Sequence, residues 1–344
     1  MIVDSFPDST INIDDEEYLY FGGTSYLGMA TQPEFQSIIT KNIKKWGTSY
    51  GSSRNSNVKL SVYNRVEDFF AQQIGSEASL SVSSGTLAGK LVIDFLSTQF
   101  QTFFHYPKTH PSILAKHSLP LFVNNKLHPR LLDNIVEEIV ITVDAILSLE
   151  VTPTSFNFIN DISSKKKITL IIDESHSLGI IGNQGEGIFN SISNNKLHRK
   201  IMIASLGKAM GLSGGIIVSD HEFISSLKKE PVFISSSGAN PAYLETYIQA
   251  QHLYIAQKSK LQHNLDFLKA KLHITKEFKF TDNYPVIYCY NDAIFAKLLE
   301  NKIIITRFKY PTYKNMMNRI VITANHSKKD LKKLINILNT NYDK

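Results

Sequence analysis

Short β-type runs, each ending in small or charged residues, constrain this chain more than any other feature. Ala78–Val82 runs into Ser83-Ser84-Gly85-Thr86, Ile168–Ile172 into Asp173, and Ile201–Ala204 into Ser205-Leu206-Gly207-Lys208. Apolar, β-branched runs of this length, bounded by turn formers, read as buried strands. Gly215–Val218 reads as a further one. Helical spacing links Phe35, Ile38, Ile39, Ile43 and Trp46, and then Tyr63, Val66, Phe70 and Ile74, while Leu87–Leu96 reads as the helix after the first strand. Strands alternating with helices predict an α/β fold with a mainly parallel sheet covered on both faces. Such sheets gather ligands beyond the carboxyl ends of their strands, where these polar residues stand.

The tail changes character. Ile303–Phe308 and Arg319–Thr323 read as strands, and Ser327–Leu338 as an amphipathic helix that Ser327 caps, with Asp330 in its first turn. Residues from about 242 onward are therefore expected to form a smaller second domain, and 344 residues suffice for two. No stretch approaches the roughly 18 apolar residues that span a bilayer. Met1–Asp15 is acidic and lacks the layout of a signal peptide, so a cytoplasmic location is expected. The single cysteine, Cys289, leaves no internal disulfide and no cysteine cluster for a metal. The net charge of +6 is scattered, with short runs such as Lys165–Lys167, and no basic–aromatic nucleic-acid motif appears.

The strand ends carry the chemistry. Ser84-Gly85-Thr86 opens a helix directly after a strand, so its amides and hydroxyls can bind a phosphate; alone, such residues are ordinary helix caps. Asp173, in Asp173-Glu174-Ser175-His176, can be a helix cap, a metal ligand, or the partner of a protonated pyridine nitrogen. His176, three residues on, can reach the phenolic oxygen of the same ring, although a lone histidine is more often structural. Lys208 sits among Ser205, Gly207, Ala209, Gly211, Ser213, Gly214 and Gly215. Most lysines are solvated surface charges, but one in such a turn is a candidate for a desolvated, nucleophilic amine. Together the turn, the Asp-x-x-His element and the lysine point to pyridoxal 5'-phosphate (PLP), carried by Lys208 as a Schiff base. None does so alone.

In this order, the motifs resemble those of the α-oxoamine synthases of PLP fold type I, from about Tyr18 to Leu338. Tyr26-Leu27-Gly28 is similar to the family's Asn-x-Tyr-Leu-Gly, with Thr24 in place of the asparagine. Gly47 to Arg54 resembles Gly-x-Gly-x-Gly-Ser-Arg. Asp173–His176 followed by Gly179, Gly182, Gly185 and Gly187 resembles Asp-Glu-Ala-His and its glycine series, and Ser205–Gly215 resembles the lysine segment. The resemblance implies an N-terminal segment, 1–45, packing with the small domain, a PLP-binding large domain, 46–241, and a smaller α+β C-terminal domain, 242–344. It assigns catalysis to Lys208, His176 and Asp173, ring stacking to His110, and phosphate binding to Ser84, Gly85, Thr86 and Ser205. Ser236 and Ser237 resemble a pair that reaches a phosphate across a homodimer interface. Arg319 fits the arginine that holds a substrate carboxylate, with a surface ion pair as the alternative, and Thr24 is placed near substrate.

The implied reaction is decarboxylative condensation of a small amino acid, alanine or glycine, with an acyl thioester of coenzyme A or a carrier protein. The family's 8-amino-7-oxononanoate synthase and glycine C-acetyltransferase members are the nearest. Transamination on the same fold and a non-catalytic interaction protein are the other readings. Retention of Lys208, Asp173, His176 and Arg319 argues against the last. Several positions depart from the family's pattern, and the PLP core survives these changes. Only 25 residues precede Tyr26, so a shortened N-terminal extension is expected. Tyr63 replaces a common histidine, Glu186 a usual arginine, and Asp144 a usual glutamate.

Overall fold

The computed structural model describes residues 1–273, 277–309 and 316–340. The chain opens with a hairpin of β1 (Thr10–Ile13) and β2 (Glu16–Phe21), whose turn residues Asp14 and Asp15 take φ of 50° and 62°. Helices α1 (Pro33–Trp46) and α2 (Ser61–Ile74) follow over the two stretches of helical spacing. Pro33 starts α1, where no N–H partner is needed, and Gly75 in the left-handed region ends α2.

Next come β3 (Ala78–Val82), α3 (Gly85–Ser97), β4 (Phe103–His105), β5 (Leu119–Pro120) and a small hairpin of β6 (Phe122–Val123) and β7 (Lys126–Leu127). They are followed by β8 (Glu137–Asp144), β9 (Lys166–Asp173), β10 (Leu197–Ser205) and β11 (Gly215–Ser219). A seven-stranded sheet takes the order β3-β11-β10-β9-β8-β4-β5. β10, β9, β8, β4 and β5 pair in parallel, whereas β11 is antiparallel to both neighbours. β3 therefore points the same way as β10, so the carboxyl ends of β3, β8, β9 and β10 share one edge.

Continuous apolar runs follow from burial on both faces. Ile139, Ile141, Leu170, Ile172, Met202 and Ala204 enter one core cluster. Val140, Ile171, Ile201, Ile203 and Ile217 enter the other, with Ala88, Leu91 and Val92 of α3. Each large aliphatic side chain so buried contributes about 1.5–3 kcal/mol. β8 was not singled out by its sequence. Its first residues, Glu137 and Glu138, face Lys166 and Lys167 in register across β9, and those pairings neutralise them.

The remainder comprises α4 (His221–Leu227), α5 (Pro231–Ser235), α6 (Pro241–Gln249), α7 (Gln251–Lys271), β12 (Phe278–Thr281), β13 (Tyr284–Cys289), α8 (Ala293–Glu300), β14 (Ile303–Phe308), β15 (Met317–Val321) and α9 (Lys328–Asn339). A second sheet has the order β1-β2-β14-β15-β13-β12, with β2 parallel to β14. β15 lies two residues earlier than Arg319–Thr323, because Met317 and Asn318 already pair with Phe308 and Arg307. Ser327 and Asp330 form a reciprocal capping box at α9. Among the described residues, no helix is long and apolar enough to cross a membrane.

Candidate active site

The shared strand edge brings the candidate residues together. Asp144 and Asp173 end β8 and β9 in register, and both are buried. Asp173 Oδ1 accepts the Ser175 N–H at 2.8 Å, Ser175 Oγ accepts the Ser205 N–H at 2.8 Å, and Ser205 Oγ accepts the Gly207 N–H at 3.2 Å. This chain of bonds fixes the end of β9 against the turn that carries Lys208. Ser84 caps α3, its Oγ accepting the Leu87 N–H at 3.1 Å. A Cβ on Gly85 would stand 2.6 Å from that of Ser205, so only glycine lets the helix N-terminus close on the lysine turn.

Two adjoining cavities, of about 300 and about 400 Å³, open at this edge. Thr24, Tyr26, Tyr284, Tyr288, Arg319 and the Ile146–Leu149 segment line the first. Ser84, Gly85, Thr86, Ser205, Ser213 and Gly214 line the second. His110, Asp173 and Lys208 line both. The arrangement fits PLP. A helix N-terminus with hydroxyls suits its phosphate, a buried carboxylate suits its ring nitrogen, and a lysine stands between.

Burial depresses the Lys208 ammonium, against the pull of Asp173 and Asp144. His176 is held well below the usual imidazole range, by burial first and then by the charges of Lys208, Arg319 and His110. Burial also lowers His110, with Asp173 opposing. The His110 backbone N–H donates to Asp144 Oδ1 at 3.1 Å, and its Nδ1 lies 2.7 Å from Ser112 Oγ.

The buried Tyr26 hydroxyl is the junction of the first cavity. It lies 2.9 Å from His176 Nδ1 and 3.4 Å from the Tyr284 hydroxyl, and accepts from Arg319 Nη2 at 3.3 Å. Arg319 also donates to the Gly23 carbonyl at 2.9 Å, while its Nε is buried without a hydrogen-bond partner among the described residues. Sequence reading singled out Tyr26 only as part of a motif, and did not find Tyr284, Tyr288 or the Ile146–Leu149 segment. Tyr284 and Tyr288, four apart on β13, share one face of the strand, and that spacing was the available signal. Leu149 takes φ 67°, for which a leucine gives no signal.

Ser236 and Ser237 stand apart from both cavities. They follow α5 at the surface, and the Ser236 hydroxyl donates to the Phe233 carbonyl at 3.2 Å. The other departures have local explanations. Tyr63 donates to the Ala239 carbonyl at 2.9 Å, and the buried Arg54 guanidinium lies 4.1 Å from its ring centroid. The Glu186 carboxylate accepts the N–H groups of Asn183 and Gln184, and nearby Lys258 donates to the carbonyls of Gly182 and Asn183.

Comparison with known proteins agrees with this geometry. Residues 152–338 match the family model "Aminotransferase class I and II". A putative 8-amino-7-oxononanoate synthase of Methanococcus vannielii is 28% identical over 93% of this chain and 91% of its own length. The 8-amino-7-oxononanoate synthase of Petrotoga mobilis is 26% identical over 93% and 87%. Among solved structures, a serine palmitoyltransferase of Sphingomonas wittichii superposes with a TM-score of 0.81 at 16% identity, covering 98% of this chain and 91% of that one. The 8-amino-7-oxononanoate synthase of Francisella tularensis gives 0.71 at 24% identity, over 94% and 97%. These neighbours share PLP fold type I. The match over more than half of the residues, read with the lysine turn and its carboxylate, places the chain in the aminotransferase class I and II family, with the PLP-dependent fold type I.

Proposed function

We propose that this enzyme condenses a small amino acid, alanine or glycine, with an acyl-CoA, releasing carbon dioxide and free thiol in the manner of an 8-amino-7-oxononanoate synthase. The observation that carries the reading is the convergence of Lys208, Asp173 and the Arg319–Tyr26–His176 junction on one cavity.

Bound PLP supplies an electron sink for negative charge at the carbon bearing the substrate amine. Asp173 would hold the ring nitrogen, His110 would cover the ring, and Ser84, Gly85, Thr86 and Ser205 would hold the phosphate. Arg319 lines the cavity and takes the amino-acid carboxylate through its guanidinium fork. Thr24 lines the same cavity and contacts substrate. The Lys208 amine, lowered by its surroundings, removes the α-proton. The new bond joins that α-carbon to the thioester carbonyl, the thiol leaves, and the carboxylate departs as carbon dioxide. His176, neutral at physiological pH, donates an N–H to oxygen in the cavity.

The test is thiol release from PLP-loaded protein, offering glycine, alanine or serine against acetyl-, pimeloyl- and palmitoyl-CoA. Release that needs both partners is the expected outcome, and the fastest pair identifies the substrates. Absence of release with every pair, from protein that binds PLP normally, overturns the acyl-CoA reading in favour of a carrier-protein donor or transamination.

A further inference from the structure

Asp144 is a second carboxylate at the strand edge, and the reaction as described gives it no task. It is paired in register with Asp173 on the parallel strand alongside. Parallel register sends both side chains to the same face, on strands about 4.8 Å apart. The two residues are 5% and 8% exposed, and both line the cavity at Lys208. The charged and titratable groups facing Asp144 are Asp173 at the end of β9, Lys208 in the turn after β10, and His110 in the loop after β4. One ammonium thus confronts two buried carboxylates, an arrangement that holds a proton on one of them. Asp173 Oδ1 accepts the Ser175 N–H at 2.8 Å. Asp144 is pushed well above the usual carboxylate range by burial and by the charge of Asp173. Its Oδ1 accepts the backbone N–H of His110, the residue at the ring face.

We propose that Asp144 is a positioning residue: as a neutral carboxylic acid it hooks the His110 backbone and sets the imidazole where it would cover the ring. The His110 part rests on reading the cavity as the PLP site; the protonation of Asp144 does not.

The experiment has two arms. In apo-protein labelled with 13C at aspartate carboxyls, the Asp144 resonance is identified by its loss in Asp144→Asn. It is expected to stay at its protonated position at pH values where a free aspartate has already ionised. In the second arm, Asp144→Ala removes the acceptor for the His110 N–H and weakens PLP binding about five- to tenfold. Asp144→Asn keeps an acceptor without a charge and restores the affinity, which a need for the anion would forbid. A resonance titrating near the ordinary value, or an Asn variant binding as weakly as the Ala variant, overturns the proposal. Wild-type protein that takes up no PLP would instead sink the site reading, while the carboxyl titration still decides the state of Asp144.

Discussion

A tyrosine hydroxyl that accepts from an arginine keeps its own proton to give. Tyr26 is in that position, with Arg319 Nη2 donating to it and His176 Nδ1 its shortest remaining partner. Because His176 is neutral, an Nδ1 that accepts leaves the ring proton on Nε2, which has no partner among the described residues and belongs to a residue lining the cavity. Tyr26→Phe removes this constraint and leaves Nδ1 without a donor, at a cost of about 1–3 kcal/mol. The expected result is a fall of at least about tenfold in kcat/KM, with 15N shifts of the apo-protein reporting a mixture of His176 tautomers. An unchanged tautomer with unchanged kcat/KM would refute the assignment. None of this was legible in the sequence. Lys208, Asp173 and His176 stood out because each lies within a few residues of a strand end. The Tyr26 junction joins residues separated by 150 and 293 positions, and local periodicity carries no information on such meetings.

At the scale of elements, the glycine-rich segment after β9 hangs on Glu174. This fully buried carboxylate accepts the Ile188 N–H at 2.9 Å and the Ser177 hydroxyl, and a Cβ on Gly187 would stand 2.4 Å from its Oε2. Gly187 also takes φ 84°, so glycine is required there on both counts. Burial raises the Glu174 pKa to about 7. The folded state therefore holds this proton more tightly than the unfolded chain does. The associated stability is fully present below the ordinary carboxylate range and is lost as pH rises through about 7, amounting to about 3 kcal/mol. Urea unfolding of wild type and Glu174→Gln is expected to show the wild type losing stability relative to the variant between about pH 5 and 8. Parallel curves would contradict the assignment. The glycine spacing made this segment readable, as continuous apolar runs did β9 and β10. The β1–β2 hairpin was not readable, because it turns on Asp14-Asp15 in left-handed conformation rather than on an Asn-Gly or Asp-Gly pair.

Across the whole molecule, the two sheets supply different halves of the cavity. The large sheet contributes Lys208, Asp173 and Asp144 at strand ends, and the second contributes Arg319, Tyr284 and Tyr288 from strand faces. The parallel pairing of β2 with β14 returns the N-terminal segment to this junction and delivers Thr24 and Tyr26 there. Only Ser236 and Ser237 among the residues assigned from sequence remain outside, on a surface where the Ser53 hydroxyl donates to the Ile234 carbonyl and Val58, Val232 and Ile234 are exposed. We propose that this apolar surface meets a second copy of the chain, whose phosphate site Ser236 and Ser237 complete. A symmetric dimer of this kind has a strict consequence: Lys208 and the serine pair of any one site come from different chains. Lys208→Ala chains and chains carrying both Ser236→Ala and Ser237→Ala are each expected to be impaired at limiting PLP. Unfolded and refolded together in equal amounts, they should regain intact sites, about one quarter of the wild-type number, in the mixed dimers. Sedimentation of an active, PLP-loaded monomer, or mixtures no more active than their parents, would place the serine pair outside the site and leave each cavity to a single chain.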